Sequence, residues 1–199
     1  MGAVVGLTGG SGAGKSVVAR ALARKGAGWV DADAVYHGLC APGGELIGTL
    51  AREFGDVLTP EGRLDRPALA KRVFSDPAAL ARLNAITTPR IRAAMAAEAA
   101  RLFAAGCPVV LYDAPTLFQT GIDRDCACTI GVVARYETRL QRIVARDGLT
   151  PEAAAARIAA QPDSAFYRAR CTYVIENDGT AEQASASAAA LWDKLLSAK

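Results

Sequence analysis

The stretch that most constrains the fold lies at the start of the chain. An apolar, β-branched run, Ala3-Val4-Val5-Gly6-Leu7-Thr8, passes directly into Gly9-Gly10-Ser11-Gly12-Ala13-Gly14 and then Lys15-Ser16. The run reads as a strand buried on both faces. Val17 to Lys25 reads as a helix, ended by Gly26 and Gly28. A strand, a glycine-rich turn and a helix in that order satisfy the pattern G-x-x-x-x-G-K-[ST] from Gly9 to Ser16 in its required context. Glycines admit positive φ and let the backbone approach an anion without a Cβ. Successive N–H groups then converge at a helix N-terminus, where the macrodipole adds about half a positive charge. The expected nucleotide-binding residues are therefore Gly10, Ser11, Gly12, Ala13, Gly14, Lys15, Ser16 and Val17. Lys15 is expected on the β- and γ-phosphates and the Ser16 hydroxyl on Mg²⁺.

The rest of the chain alternates strands with helices. Trp29-Val30-Asp31-Ala32-Asp33 reads as a second strand closing on two acids, and the runs Pro108–Asp113, Thr129–Ala134 and Tyr173–Ile175 as three more. From Tyr36 to about Gly106 no strand is evident. Helix starts stand there instead, at Arg66-Pro67, Asp76-Pro77 and Thr88-Pro89. Such a stretch is too long for an ordinary crossover, so 36–106 is expected to be an inserted helical subdomain. The predicted fold is a doubly wound parallel five-stranded α/β sheet, with a nucleotide-binding core in 1–35 and 107–199. The tail from Ala181 to Ala198 reads as one closing helix.

Composition narrows the class. With 199 residues, 51% hydrophobic, the chain can bury a core and is no disordered tail. About a fifth of it is Ala, which implies a core of small side chains. A net charge of +3 suits a small anion and argues against a nucleic-acid partner. Cys40, Cys107, Cys126, Cys128 and Cys171 match no zinc or redox spacing, so reduced buried thiols are expected. No signal peptide and no run of about 18 apolar residues is seen, so a cytoplasmic chain without a membrane or an obligate protein partner is expected.

Transfer of a γ-phosphate needs a carboxylate near the attacking oxygen and arginines that neutralise developing charge. Asp31 and Asp33, two apart at a strand end, would project to one side, and Asp33 is placed to orient an acceptor hydroxyl. Asp113 ends a buried strand and could hold Mg²⁺ through water. Arg135, Arg139, Arg142 and Arg146 recur on one helix face, and with Arg157, Arg168 and Arg170 they suit a lid, about 146–171, hinged near Asp147-Gly148. The competing account of that face is a solvated one. His37, the single histidine, follows the Asp33 turn, and Trp29 and Trp192 are expected to fill the core.

Taken in order, these motifs resemble the dephospho-CoA kinase family of the P-loop kinase superfamily over nearly the whole length. The resemblance rests on Leu7 to Ser16, Asp31-Ala32-Asp33, Arg63-Leu64-Asp65-Arg66, Leu83-Asn84-Ala85-Ile86, Asp113 to Phe118 with Gly121, Arg142, Arg146, Arg157-Ile158 and Val174 to Gly179. Thr88-Pro89 stands where the family usually has His-Pro, and Gln119 where it has Glu. The resemblance implies an ATP-dependent kinase with Mg²⁺ that phosphorylates the ribose 3′-hydroxyl of dephospho-CoA. It implies Lys15, Asp33, Arg142 and Arg146 as catalytic residues, Asn177 beside the nucleotide, and Asp33, Arg66 and Asp113 at the acceptor. Arg72, Arg90 and Arg92 are further candidates for the acceptor's pyrophosphate. Two rival readings stay open: another small-acceptor P-loop kinase, for a nucleoside or a sugar acid, and a nucleotide-dependent switch that transfers nothing.

Overall fold

The computed structural model describes residues 2–198, the Phe74 side chain aside. Strand β1 (Ala3–Thr8) is followed by α1 (Lys15–Arg24) and β2 (Gly28–Asp31). Four helices come next, α2 (Ala32–Leu39), α3 (Ile47–Phe54), α4 (Arg66–Phe74) and α5 (Pro77–Ala104). Then follow β3 (Val109–Asp113), β4 (Cys128–Val133), α6 (Tyr136–Asp147), α7 (Pro151–Ala159), α8 (Ser164–Arg170), β5 (Tyr173–Glu176), α9 (Ala181–Ala190) and α10 (Trp192–Leu196). The five strands form one parallel sheet in the order β2-β3-β1-β4-β5. Val5 stands opposite Leu111 on one side and Cys128 on the other. The strand order reverses at β1, and ligands of such sheets bind outside the carboxyl ends of the strands there.

The chain divides into two compact units, Met1–Val30 with Ala99–Lys199, and Asp31–Glu98. In the first, β1, β3 and β4 are buried on both faces, as continuous apolar runs in a covered parallel sheet must be. Val5, Leu7, Leu111, Ile130 and Val132 pack there with Val18 and Leu22 of α1 and with Ala188 and Leu195. Small side chains let the helices lie close to the sheet. Leu111 is fully buried in β3. Leu111→Ala is expected to cost about 2–5 kcal/mol of stability, read as a lowered urea midpoint with an unchanged slope. In the second unit Leu46, Leu50, Phe54, Val57, Leu69 and Val73 form a separate core, and Leu58 and Leu64 make an antiparallel bridge.

Three sequence expectations are corrected. The second strand ends at Asp31, not Asp33. Asp31 is the N-cap of α2, its carboxylate accepting from the N–H groups of Asp33 (2.8 Å) and Ala34 (3.2 Å), so Asp33 lies in a helical turn. Thr88-Pro89 starts no helix. Pro89 lies inside α5, and Asp76 caps that helix through the Ala78 N–H at 2.8 Å. The closing helix is two, parted at Leu191, whose N–H bonds back three residues to Ala188 and tightens the turn.

The five cysteines are free. Burial, with the charges of Asp125 and Asp123 nearby, pushes the Cys126 thiol up to about 12, and burial pushes Cys171 to about 11. Thiolate is the reactive form. Alkylation at pH 8 is therefore expected to label Cys126 and Cys171 only after denaturation, as mapped by peptide mass; fast labelling of either in the folded protein would contradict this packing.

Candidate active site

The loop after β1 is shaped by what stands behind it. Gly12 and Gly14 have φ of 77° and 93°, where an L side chain is strained. A Cβ on Gly12 would stand 2.6 Å from the Arg139 carbonyl oxygen, and one on Gly14 would overlap the Asn177 amide. The loop carbonyls are held from outside. Ser11 C=O accepts from Arg139 Nε at 2.9 Å, Gly12 C=O from Arg142 Nη1 at 3.4 Å, and Ala13 C=O from Asn177 Nδ2 at 2.7 Å. In a trans peptide the N–H points opposite the C=O. Turning those three carbonyls outward turns the N–H groups of Gly12, Ala13 and Gly14 the other way. The Ala13 N–H is used within the loop, on the Gly10 carbonyl at 3.1 Å. Gly14 caps α1 without a side-chain hydrogen bond, and no acid lies in the first turn of α1. The helix end is thus uncompensated by its own chain and suits an anion.

Lys15 forms an ion pair with Asp113, whose side chain is 3% exposed. Trp29 Nε1 donates to the other carboxylate oxygen of Asp113 at 3.2 Å. Trp29 therefore fills core space as expected and also orients the acid. Ser16, in the first turn of α1, is exposed. Among the described residues no three His, Cys, Asp or Glu side chains gather at a possible metal. The Ser16 hydroxyl and the Asp113 carboxylate are nevertheless oxygen donors of the kind Mg²⁺ takes, an ion that keeps several waters and draws its other ligands from substrate phosphates.

An open cleft of about 500 Å³ is lined by Gly12, Gly14, Ser16, Val17, Arg20, Arg142 and Arg146, among others, within the size range of nucleotide and drug-sized ligands. Arg142 bridges this loop to the segment after β5, donating to Asn177 C=O and Gly179 C=O at 2.8 Å each. Arg146 forks onto Asp147 at 2.7 and 2.8 Å, and Arg157 reaches the same carboxylate at 2.6 Å. Those two arginines hold Asp147 below the usual carboxylate range. Asp178 accepts from the Arg135 N–H at 2.7 Å at the start of α6, and that bond likewise lowers its pKa.

The arginine face of α6 is not uniform. Arg135 and Arg146 have 74% and 61% of their side chains exposed, whereas Arg139 is 5% exposed. Burial lowers the Arg139 pKa from its usual range. Its guanidinium also donates to Gln161 Oε1 at 3.1 Å. Sequence reasoning puts Arg139 on the arginine face of a lid and places neither it nor Gln161 behind the loop. The signal for Arg139 was available, because it lies four residues before Ile143, the fully buried residue of α6.

In the unit Asp31–Glu98, Asp33 stands two residues past the carboxyl end of β2, in the first turn of α2. His37, one turn on, contacts Arg66, whose guanidinium lies 5.9 Å from the Tyr36 ring centroid. Asp65 caps α4 through the Ala68 N–H at 3.0 Å, which fixes Arg66 at the helix start. Arg72 donates to the Phe54 carbonyl and Arg90 to Glu45 at 3.0 Å, so both brace their own unit.

A family model described as dephospho-CoA kinase matches residues 3–183. The chain is 43% identical over 194 residues to the dephospho-CoA kinase of Anaeromyxobacter dehalogenans, spanning 97% of this chain and 90% of that one. It is 47% identical over 178 residues to that of Deinococcus radiodurans, spanning 89% and 85%. The solved structure of TT1252 from Thermus thermophilus superposes with a TM-score of 0.84 at 36% identity, over 98% of both chains.

Proposed function

The chain belongs to the dephospho-CoA kinase family, and from that membership we infer how its own residues divide the transfer of the ATP γ-phosphate to the ribose 3′-hydroxyl of dephospho-CoA, giving coenzyme A and ADP. The observation that carries the reading is the loop Gly9–Ser16, with its carbonyls held outward and Lys15 beside it. The N–H groups of Gly12 and Gly14 and the start of α1 take the phosphates, and Lys15 exchanges the Asp113 carboxylate for phosphate oxygens. Mg²⁺, held by Ser16 and, through water, by Asp113, would neutralise charge on the β- and γ-oxygens.

Asp33 orients the 3′-hydroxyl and takes its proton as the oxygen attacks the γ-phosphorus. The bond from that phosphorus to the bridging oxygen breaks, and ADP leaves with the electron pair. A loose transition state asks more of positioning than of basicity. Arg142 and Arg146 line the cleft and are assigned to the developing charge; on closure Arg142 would exchange the carbonyls of Gly12, Asn177 and Gly179, and Arg146 the Asp147 carboxylate, for phosphate oxygens. The unit Asp31–Glu98 is assigned to the acceptor, with Arg66 on one of its phosphates, and the segment 146–171 to a lid. No helix among the described residues is long and apolar enough to cross a membrane.

ADP release with a panel of acceptors tests the reading. Turnover is expected with dephospho-CoA, and none above background with nucleosides or sugar acids. Turnover of a nucleoside with none of dephospho-CoA would overturn it.

A further inference from the structure

Ser11 is held at every polar atom. Its N–H donates to Gln161 Oε1 at 2.8 Å, its Oγ accepts from Gln161 Nε2 at 3.1 Å, and its C=O accepts from Arg139 Nε at 2.9 Å. Arg139 Nη2 donates to the same Gln161 oxygen at 3.1 Å. The four bonds close a ring through three residues. Gln161 follows α7, and its own N–H bonds back to Ile158 C=O at 3.1 Å. A small apolar cluster of Ile143, Ala154 and Ile158 packs α7 on α6. The segment after α7 is therefore tied to the tip of the loop by a side chain, beyond its packing on α6.

Peptide planarity gives the tie a direction. Ser11 C=O and Gly12 N–H share one plane, so fixing the carbonyl on Arg139 aims the Gly12 N–H to the opposite side. Arg139 is buried, and its hydrogen-bond partners are the neutral oxygens of Ser11 and Gln161. The cation thus remains a positive charge behind the loop and favours an anion on the far side of it.

We propose that Gln161 is a positioning residue for phosphoryl transfer, acting through Ser11 and Arg139 to aim the Gly12 N–H and to key the α7–α8 segment to the loop. The proposal rests on the reading of the loop as the ATP site. Gln161 does not touch the reacting atoms. Its loss should lower turnover by misdirecting a donor, while the N–H groups at the start of α1 still bind ATP.

The test compares the parent enzyme with Gln161→Ala and Gln161→Glu, each checked for its melting temperature. ADP release is measured with dephospho-CoA and, as acceptor-independent ATP hydrolysis, without it. For Gln161→Ala, kcat is expected to fall about 10- to 100-fold, with KM for ATP within about threefold of the parent. Glutamate keeps acceptors for the Ser11 N–H and for Arg139 but sets an anion behind the phosphates. Gln161→Glu should therefore recover kcat to within about threefold of the parent and raise KM for ATP on the order of tenfold. A Gln161→Ala enzyme within about twofold of parental kcat, or a Gln161→Glu enzyme as slow as Gln161→Ala, overturns the proposal. A parent inactive on dephospho-CoA counts against the acceptor assignment alone, and the hydrolysis series then decides on Gln161 by the same ratios.

Discussion

Lys15→Ala is expected to lower kcat with dephospho-CoA about a thousandfold or more. A positive group that meets the β- and γ-phosphates stabilises charge as it moves toward the leaving oxygen, and no other lysine lies in the loop Gly9–Ser16. The variant carries a second signature. Lys15 faces Asp113, a carboxylate with 3% side-chain exposure, while Lys15 itself keeps 18%. Removing the cation leaves Trp29 Nε1 on one oxygen of that acid and withdraws the ion pair from the other. Because Lys15 is partly solvated, the stability loss is expected to be about 1–3 kcal/mol rather than the full penalty of a buried pair. Lys15→Ala combined with Asp113→Asn should recover part of the melting temperature and none of the turnover. Thermal unfolding and steady-state kinetics on the four proteins of that cycle separate the two roles. Recovery of turnover in the double variant would place the function of Lys15 in the ion pair instead of on the phosphates.

Asp33→Asn is expected to cut kcat by about 10²- to 10⁴-fold with little change in KM for ATP. The amide keeps the size of the side chain and can still meet a hydroxyl, but it takes no proton. The fold should tolerate it. The cap of α2 is Asp31, which accepts from two backbone N–H groups and is untouched. Asp33 contributes to that helix only as a charge in its first turn, worth about 0.3–1 kcal/mol. Asp31→Ala is the matching control: it removes the cap, costs about 1 kcal/mol, and shifts the melting temperature more than Asp33→Asn does. Turnover of Asp33→Asn near the parental rate would take Asp33 out of the chemistry.

Much of the fold was legible because strand and helix signals agreed with one another. The apolar runs of β1, β3 and β4 announced a covered parallel sheet, and Gly9 to Ser16 between strand and helix announced an anion loop. The misreadings were local. At Asp31-Ala32-Asp33, period-2 alternation extended the strand, whereas an aspartate two residues before Asp33 was a better cap than a strand residue. At Thr88-Pro89 the pair carries the signature of a helix start, yet Pro89 is accommodated within α5. An interior proline costs the helix one backbone hydrogen bond, and α5 nevertheless continues through it from Pro77 to Ala104.

The site was legible in its glycines and its lysine, and much less so in the residues that hold them. Asn177 and Arg142, expected beside the nucleotide, carry the carbonyls of Ala13, Gly12 and Gly179. Arg139 and Gln161 close on Ser11 from α6 and from the segment after α7. Such contacts join residues 128 and 150 apart in the chain, and no local pattern encodes them. What periodicity did encode is the face of α6 on which Arg139 lies.

The most direct test follows the phosphorus atom itself. The enzyme is given ATP carrying a radioactive γ-phosphate together with dephospho-CoA, and the products are separated and counted. The label is expected in coenzyme A, at the ribose 3′ position, in amounts equal to the ADP formed. Label found in inorganic phosphate or retained on the protein, with dephospho-CoA unchanged, would contradict transfer from this loop to that alcohol.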